Sequence, residues 1–218
     1  MTPYGVLWDL DGTLVDTGEF HYEAWAQTLA GHAIPYTRDS FQVTFGMSNF
    51  NTLRHLLGRP PAPDLLARVD TEKEDRFRAA IRGHARLLPG VLAWLARLKG
   101  AGARQAIATS APRGNLDVLV DELGLRSYFD ALVAGANLPG KPDPAIFLAA
   151  AEQLGLPPGR CVVVEDSLAG VAGARRAGMR CVAVTNTHPA EALKDADVVV
   201  PTLEALPPGA FEELLNHS

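Results

Sequence analysis

The chain has 218 residues, a formal net charge of -5 and a hydrophobic content of 47%. This length suits one core domain with a smaller inserted unit, and the apolar content is enough for a sizeable core. The mildly acidic charge excludes the electrostatic footprint of a nucleic-acid-binding protein. No stretch has the pattern of a signal peptide or the ~20 apolar residues that cross a bilayer, so we expect a cytoplasmic protein with no membrane partner.

The first predicted strand, Tyr4–Trp8, is followed by a long stretch without a convincing strand. Within residues 17–86 the apolar residues recur with helical spacing, most clearly in Glu19–Ala30, Ser48–Leu57 and Leu65–Gly83. A helical block between the first strand and the remaining strands predicts a separate small domain. Its two crossings into the core are expected to act as a hinge.

The rest of the chain alternates short β-rich runs with helical stretches, and several of the runs are unbroken apolar sequences. Such runs are typical of strands that are buried on both faces of a sheet. Cys161 and Cys181 each open a run, and we interpret them as small buried residues of adjacent strands. The order predicts an α/β fold, in which an open parallel sheet carries helices on both faces. The predicted strands are Gln105–Ala108, Ala131–Ala134, Cys161–Val164, Cys181–Val184 and Val198–Val200, and the predicted helices are Gly90–Lys99, Asn115–Leu123, Pro144–Leu154 and Ser167–Ala177.

Two carboxylates, Asp9 and Asp11, directly follow the first predicted strand. Phosphoryl transfer through a carboxylate needs a nucleophile and, separately, a group that protonates the leaving oxygen. Asp9 ends the strand and can be held rigidly, whereas Asp11 lies in the turn beyond it, close enough to serve a leaving group. Gly12 allows the chain to turn sharply there. The pair predicts a phosphoryl-transfer enzyme with its nucleophile at Asp9.

Polar residues also follow three other predicted strands. Glu165 and Asp166 offer the oxygen ligands that Mg²⁺ prefers, and Thr109 and Ser110 precede a helix whose N-terminus suits a phosphate. Lys141 lies in a loop stiffened by prolines, and its ammonium would offset the charge of phosphate and carboxylates. Taken singly, these residues also fit helix capping or an exposed loop lysine. Since ligands bind outside the carboxyl ends of parallel strands, we expect all of them at one edge of the sheet.

This set of motifs resembles the haloacid dehalogenase superfamily of phosphotransferases. The resemblance implies a Rossmann-like catalytic core formed by residues 1–16 and 87–218, with a helical cap domain formed by residues 17–86. Motif order and approximate spacing match along nearly the whole chain. The first motif is similar to Asp9-x-Asp11-Gly12-Thr13, the second to Thr109, the third to Lys141 and the fourth to Glu165-Asp166.

Two longer segments, residues 16–25 and 165–174, are similar to the β-phosphoglucomutase-like branch, which includes many small-metabolite phosphatases. The resemblance implies that Asp9 is the nucleophile and a metal ligand. It implies that Asp11 is the general acid and base and gives its main-chain carbonyl to Mg²⁺. By the same resemblance, Glu165 and Asp166 hold the metal, and Thr109, the backbone N–H of Ser110 and Lys141 bind the transferred phosphate.

Residues of the expected cap bear on the choice between a mutase and a phosphatase. Mutases of this branch carry an arginine where this chain has Asn49, and that arginine holds the phosphate that is not transferred. A neutral amide cannot supply the same bidentate grip, so a bisphosphate would be held poorly unless Lys73 or Arg113 substitutes. Thr13 resembles the phosphatases of the branch. His21 matches a cap histidine that can hydrogen-bond the acid/base aspartate, although a solvent-facing histidine is the alternative.

We therefore expect Mg²⁺-dependent hydrolysis of a small phosphate monoester through an aspartyl-phosphate, by a monomeric protein. The main alternative is a β-phosphoglucomutase-type isomerase. A receiver-type phospho-acceptor needs neither the second acid nor the helical block, and a binding-only member of the superfamily would be expected to lack a catalytic carboxylate. The substrate itself is expected to be chosen by the cap, around Phe20–Trp25, Phe45–Asn51 and Lys73–Phe77.

Overall fold

The computed structural model describes residues 3–135 and 138–216, and a parallel sheet forms their centre. The strand order is β3-β2-β1-β4-β5-β6, and every neighbouring pair is parallel. All six predicted strands are present; the first begins at Gly5 rather than at Tyr4, and two extend further into the expected site, through Thr109 and Glu165. The strands are β1 (Gly5–Trp8), β2 (Arg104–Thr109), β3 (Ala131–Ala134), β4 (Cys161–Glu165), β5 (Arg180–Val184) and β6 (Val198–Val200).

Both faces of the sheet are covered, which explains the unbroken apolar runs. Along β1, Val6 and Trp8 belong to one hydrophobic cluster, whereas Leu7 belongs to the cluster on the opposite face. Because side chains alternate across a strand, a strand with a core on each side needs apolar residues at every position. Cys161 and Cys181 are free and buried on the neighbouring strands β4 and β5, as predicted.

Among the described residues, five helices cover the sheet. Those that contribute to the cluster of Val6 and Trp8 are α5, α6 and α9, and those that contribute to the cluster of Leu7 are α7 and α8. Helix α9, at Ala210–Asn216, was not predicted. In the described parts of the chain, no helix is both long enough and apolar enough to cross a membrane. The helices are α5 (Val91–Gly100), α6 (Arg113–Glu122), α7 (Ala145–Gln153), α8 (Leu168–Arg176) and α9 (Ala210–Asn216), with short 3₁₀ helices at Arg126–Tyr128, Pro158–Arg160 and Leu203–Ala205.

Four further helices lie between β1 and α5, within residues 17–86. Three of them, Gly18–Gly31, Asn49–Leu57 and Pro63–Ile81, share a cluster of their own, formed by Trp25, Leu29, Leu53 and Val69. The division of the chain into a core of residues 1–16 and 87–218 and a cap of residues 17–86 stays a prediction; residues 1–2, 136–137 and 217–218 of that division lie outside the described residues. The helices are α1 (Gly18–Gly31), α2 (Arg38–Thr44), α3 (Asn49–Leu57) and α4 (Pro63–Ile81), of which α2 was not predicted.

The chain enters and leaves this helical block at one place. The N–H of Asp16 donates to the carbonyl of Arg86 at 3.0 Å, and the N–H of Leu88 donates to the carbonyl of Leu14 at 3.0 Å. Val15 forms an antiparallel bridge with Leu87 between these two bonds. The two crossings are therefore paired with each other directly beside the end of β1.

Candidate active site

The carboxyl ends of the three central strands bring the predicted motifs together. Asp9 follows β1, Thr109 is the last residue of β2, and Glu165 and Asp166 end and follow β4; all four are buried. The strands are adjacent and parallel in the order β2-β1-β4, so their carboxyl ends meet at one edge of the sheet. Lys141 reaches this edge from the loop after β3 and is also buried.

Lys141 lies between two carboxylates. Its Nζ is 2.5 Å from Oδ1 of Asp9 and 2.5 Å from Oε1 of Glu165. Burial alone would lower the pKa of Lys141, but the two carboxylates raise it above its ordinary value, so the ammonium stays charged. An exposed loop lysine, the alternative for this residue, does not fit this position.

The carboxylate of Glu165 is held by its own loop. Its Oε2 accepts hydrogen bonds from the backbone N–H of Asp166 at 2.9 Å, from the N–H of Ser167 at 3.0 Å and from Oγ of Ser167 at 2.9 Å. Gly170 on α8 leaves the necessary room, because a Cβ there would lie 1.9 Å from the carboxylate. Both oxygens of Glu165 therefore have partners, and three of the four hydrogen bonds go to Oε2.

Asp166 is held by threonines on two different loops. Its Oδ1 accepts from Oγ1 of Thr13 at 3.3 Å, and its Oδ2 accepts from Oγ1 of Thr187. Gly12 has a φ of 78° and would place a Cβ 2.0 Å from Oδ2, so this close approach requires glycine. The amide of Asn186 donates to the carbonyl of Gly12 at 2.9 Å. Asn186 and Thr187 were not predicted as site residues, although they follow buried β5 at the same edge.

The acids at this edge could hold a metal ion. Asp9, Glu165 and Asp166 each bring one carboxylate oxygen to within 4.8 Å of the others. Lys141 supplies one positive charge against these three buried carboxylates. Burial, and then the charge of Glu165, raise the pKa of Asp166 to about 8. A donor set of oxygens with surplus negative charge suits a hard divalent cation.

Asp11 has a different environment from Asp9. Its Oδ1 accepts from Oγ1 of Thr17 at 2.8 Å and lies 3.0 Å from Nε2 of His21. The ring of His21 stacks on Phe77, with ring centroids 3.9 Å apart. Burial alone would raise the pKa of Asp11, but His21 and Thr17 hold it below its ordinary value. His21 is buried, so the solvent-facing alternative does not apply to it.

A cavity of about 890 Å³ separates this edge from helices α1, α3 and α4. That volume lies in the range of small-molecule sites. Its lining includes both first-motif acids and the expected phosphate loop, together with residues from the helical block. Among the lining residues are Asp9, Asp11, His21, Asn49, Asp70, Lys73, Glu74, Thr109, Ser110 and Asn115.

Two of the expected substrate residues, Asn49 and Lys73, contact Glu74, which lies within the predicted segment Lys73–Phe77 but was not named as a candidate by itself. Oε1 of Glu74 accepts from Nδ2 of Asn49 at 2.8 Å and from Nζ of Lys73 at 2.9 Å. Its Oε2 accepts from Nδ2 of Asn115 at 2.5 Å, which joins α4 to α6. Arg113 is not brought to this cavity. Its exposed guanidinium instead pairs with Asp117 on the same helix, at 2.8 Å.

The parallel sheet and its buried acidic edge define an α/β enzyme. Residues 5–178 match the model of the haloacid dehalogenase-like hydrolases. The chain belongs to this family of hydrolases, as its motifs predicted.

Individual relatives cover nearly the whole chain. It is 32% identical over 209 residues to validoxylamine A 7'-phosphate phosphatase of Streptomyces hygroscopicus subsp. limoneus, covering 90% of this chain and 92% of that protein. The fold is similar to β-phosphoglucomutase from Clostridium difficile (TM-score 0.89, 25% identity, 99% of this chain and 98% of that one). It is also similar to a CbbY variant from Rhodobacter sphaeroides in complex with xylulose-(1,5)bisphosphate (TM-score 0.84, 30% identity, 94% and 96%).

Proposed function

We propose that this protein hydrolyses a small phosphate monoester, such as a sugar phosphate, through an aspartyl-phosphate on Asp9. One observation carries the proposal: the two carboxylates that follow β1, Asp9 and Asp11, have different partners. Asp9 contacts Lys141 within the acidic cluster, whereas Asp11 turns to His21 and Thr17. Two neighbouring acids held in different environments suit the separate roles of nucleophile and acid/base catalyst.

We further infer that the metal is Mg²⁺. Asp9, Asp166 and the main-chain carbonyl of Asp11 would hold it, with Glu165 bound directly or through water. Glu165 accepts four hydrogen bonds from described residues, whereas Asp166 accepts two, which favours the indirect arrangement for Glu165. Bound Mg²⁺ supplies positive charge that keeps the carboxylates ionised beside a phosphate.

The remaining roles fall to groups that line the same edge. The ammonium of Lys141, the hydroxyl of Thr109 and the N–H of Ser110 bind the oxygens of the phosphate. The carboxylate of Asp9 then attacks phosphorus in line. The negative charge of the bound phosphate raises the pKa of Asp11 from the lowered value that His21 and Thr17 give it, so Asp11 takes up a proton and gives it to the departing alkoxide. Asp11 next takes a proton from the water that cleaves the aspartyl-phosphate. The products are an alcohol and inorganic phosphate, and Asp9 is regenerated.

The main rival is isomerisation, which the likeness to β-phosphoglucomutase favours. A mutase must hold a bisphosphate, and therefore needs a cation for the phosphate that is not transferred. Here Asn49 stands at the expected position and donates to Glu74, while Lys73 is paired with the same carboxylate. These contacts weigh against the isomerase.

A cytoplasmic monomer acting on a small phosphorylated metabolite stays our prediction.

The proposal is tested by measuring phosphate release from a panel of small monoesters, with Mg²⁺ and with EDTA. One sample contains β-glucose 1-phosphate with a trace of the bisphosphate and is read for glucose 6-phosphate. Release that EDTA abolishes supports the proposal. Formation of glucose 6-phosphate without release of phosphate would contradict the proposal and show that the protein is a mutase.

The nucleophile is tested by Asp9→Asn, which should lower turnover on the order of 10⁴-fold. Asp117→Asn on α6 removes a carboxylate that does not line the cavity and should leave turnover unchanged. If Asp9→Asn keeps a tenth of the wild-type rate, Asp9 is not the nucleophile.

A further inference from the structure

The cavity has a second wall, opposite the acidic edge of the sheet, which is rich in charge. We call the surface formed by Asn49, Asp70, Lys73 and Glu74 the α4 wall, because three of these residues belong to α4. Lys73 and Glu74 are each only 3% exposed. Charges buried to this extent act strongly on a ligand, because little water screens them.

Glu74 is the fixed negative charge of the α4 wall. Its two oxygens accept from three donors, on Asn49, Lys73 and Asn115, so its position is set from α3, α4 and α6 at once. Burial alone would raise the pKa of Glu74, but Lys73 and the neighbouring donors hold it below its ordinary value. The carboxylate is therefore ionised at neutral pH.

The cations near this wall are already engaged or lie at the rim of the cavity. The ammonium of Lys73 is 2.9 Å from Glu74. The guanidinium of Arg78 bonds to Asp75 at 2.5 Å and to Asn115 at 2.9 Å. Arg54 and Arg176 line the cavity as well, but both are exposed. The α4 wall therefore has no surplus of positive charge that could bind a second phosphate.

Asp70 adds a second carboxylate. Among the described residues, its buried Oδ1 has no hydrogen-bond partner. Burial raises the pKa of Asp70, a hydrogen bond with Asn49 opposes this rise, and the charge of Glu74 adds to it. An unpartnered acceptor at the cavity suits a hydroxyl donor of a ligand, because an unpaired buried polar group is unfavourable. It does not suit a second phosphate, which offers mainly acceptors.

We propose that Glu74, with Asp70, is a specificity-determining residue that rejects ligands with a second phosphate and selects monophosphates of uncharged polyhydroxylated compounds. The inference rests on the proposed function and narrows its substrate class. The physical cause is repulsion between a fixed buried carboxylate and a second anionic group, in a cavity where removing water from both is costly. Hydroxyl groups meet no such repulsion and can donate to Asp70.

The test compares the binding of fructose 1-phosphate and fructose 1,6-bisphosphate by titration calorimetry, with Mg²⁺ present. Asp9→Asn is the background for all samples, so that the ligands are not turned over. The variants added to it are Glu74→Gln and the matched control Glu72→Gln. Glu72 is two positions away on α4 and pairs with His32 instead of lining the cavity. Both changes remove one negative charge from the same helix.

We expect the background protein to bind the monophosphate more tightly than the bisphosphate. Glu74→Gln should shift the ratio of the two dissociation constants toward the bisphosphate by about tenfold, whereas Glu72→Gln should shift it by less than about twofold. If Glu74→Gln does not fold, Asp70→Asn takes its place, and a smaller shift in the same direction is expected. Equal shifts in test and control variants, or a background that prefers the bisphosphate, overturn the inference.

The proposed function is read separately, from phosphate release by the wild-type protein. Release without the shift in binding ratio overturns only the role of Glu74. Absence of release from the monoester panel overturns the hydrolase assignment, while the binding ratio still decides the preference of the cavity. Absence of binding by either ligand overturns the role of Glu74, and the hydrolase assignment is still decided by the release assay.

Discussion

Replacing Lys141 by methionine tests the charge balance of the acidic edge. Methionine keeps most of the length of the side chain but removes the ammonium that lies 2.5 Å from both Asp9 and Glu165. Removing one partner of a buried ion pair costs about 3–5 kcal/mol, because the other charge is left uncompensated. For a chain of this length, about 1 kcal/mol corresponds to about 2–4 °C, so the melting temperature should fall by about 6–20 °C.

The assay is thermal unfolding in EDTA and again with millimolar Mg²⁺. A bound divalent cation would replace part of the lost positive charge, so Mg²⁺ should raise the melting temperature of Lys141→Met more than that of the wild type. The control is Lys194→Met, which removes an exposed ammonium and should have little effect. If Lys141→Met in EDTA melts within about 2 °C of this control, the three carboxylates do not depend on Lys141 for compensation.

Two further results follow from burial. Gly170→Ala should destabilise the protein by about 1–3 kcal/mol in urea unfolding, because the new Cβ would meet the carboxylate of Glu165. Gly100→Ala, in open space at the end of α5, should change stability by less than about 1 kcal/mol, and equal effects of the two would contradict the packing argument. Burial raises the pKa of the Cys161 thiol to about 11, so about 0.1% of it is thiolate at pH 8. A disulfide reagent should label Cys161 and Cys181 only after unfolding, and rapid labelling of the native protein would show that they are accessible.

The sheet and its acidic edge could be predicted from the sequence because both follow from local pattern. Unbroken apolar runs mark strands that are covered on both faces, and parallel strands carry whatever follows them to one edge. Asp9, Thr109 and Glu165 therefore come together wherever such a sheet forms. Thr187 follows β5, which ends at the same edge, so the same reasoning applied to β5 identifies this residue.

The α4 wall could not be predicted in the same way, because it depends on how separate helices approach one another. Asn115 and Arg113 show the difference. They are two positions apart on α6, which places their side chains on nearly opposite faces of the helix. Arg113 lies on the exposed face, where it pairs with Asp117, whereas Asn115 is buried and donates to Glu74. Charge alone favoured Arg113, and only the packing of α4 on α6 identifies Asn115. Helix α2 was missed because it has only seven residues and a largely exposed surface.

The paired crossings beside β1 have a consequence for how such a protein can diversify. Residues 16 and 86 are joined backbone to backbone at 3.0 Å, so the helices between them begin and end at neighbouring points. A segment with adjacent ends can be grafted, lengthened or exchanged without changing the spacing of the strands on either side. We therefore expect substitutions in α3 and α4 to change the choice of substrate while the sheet edge retains its proposed reaction.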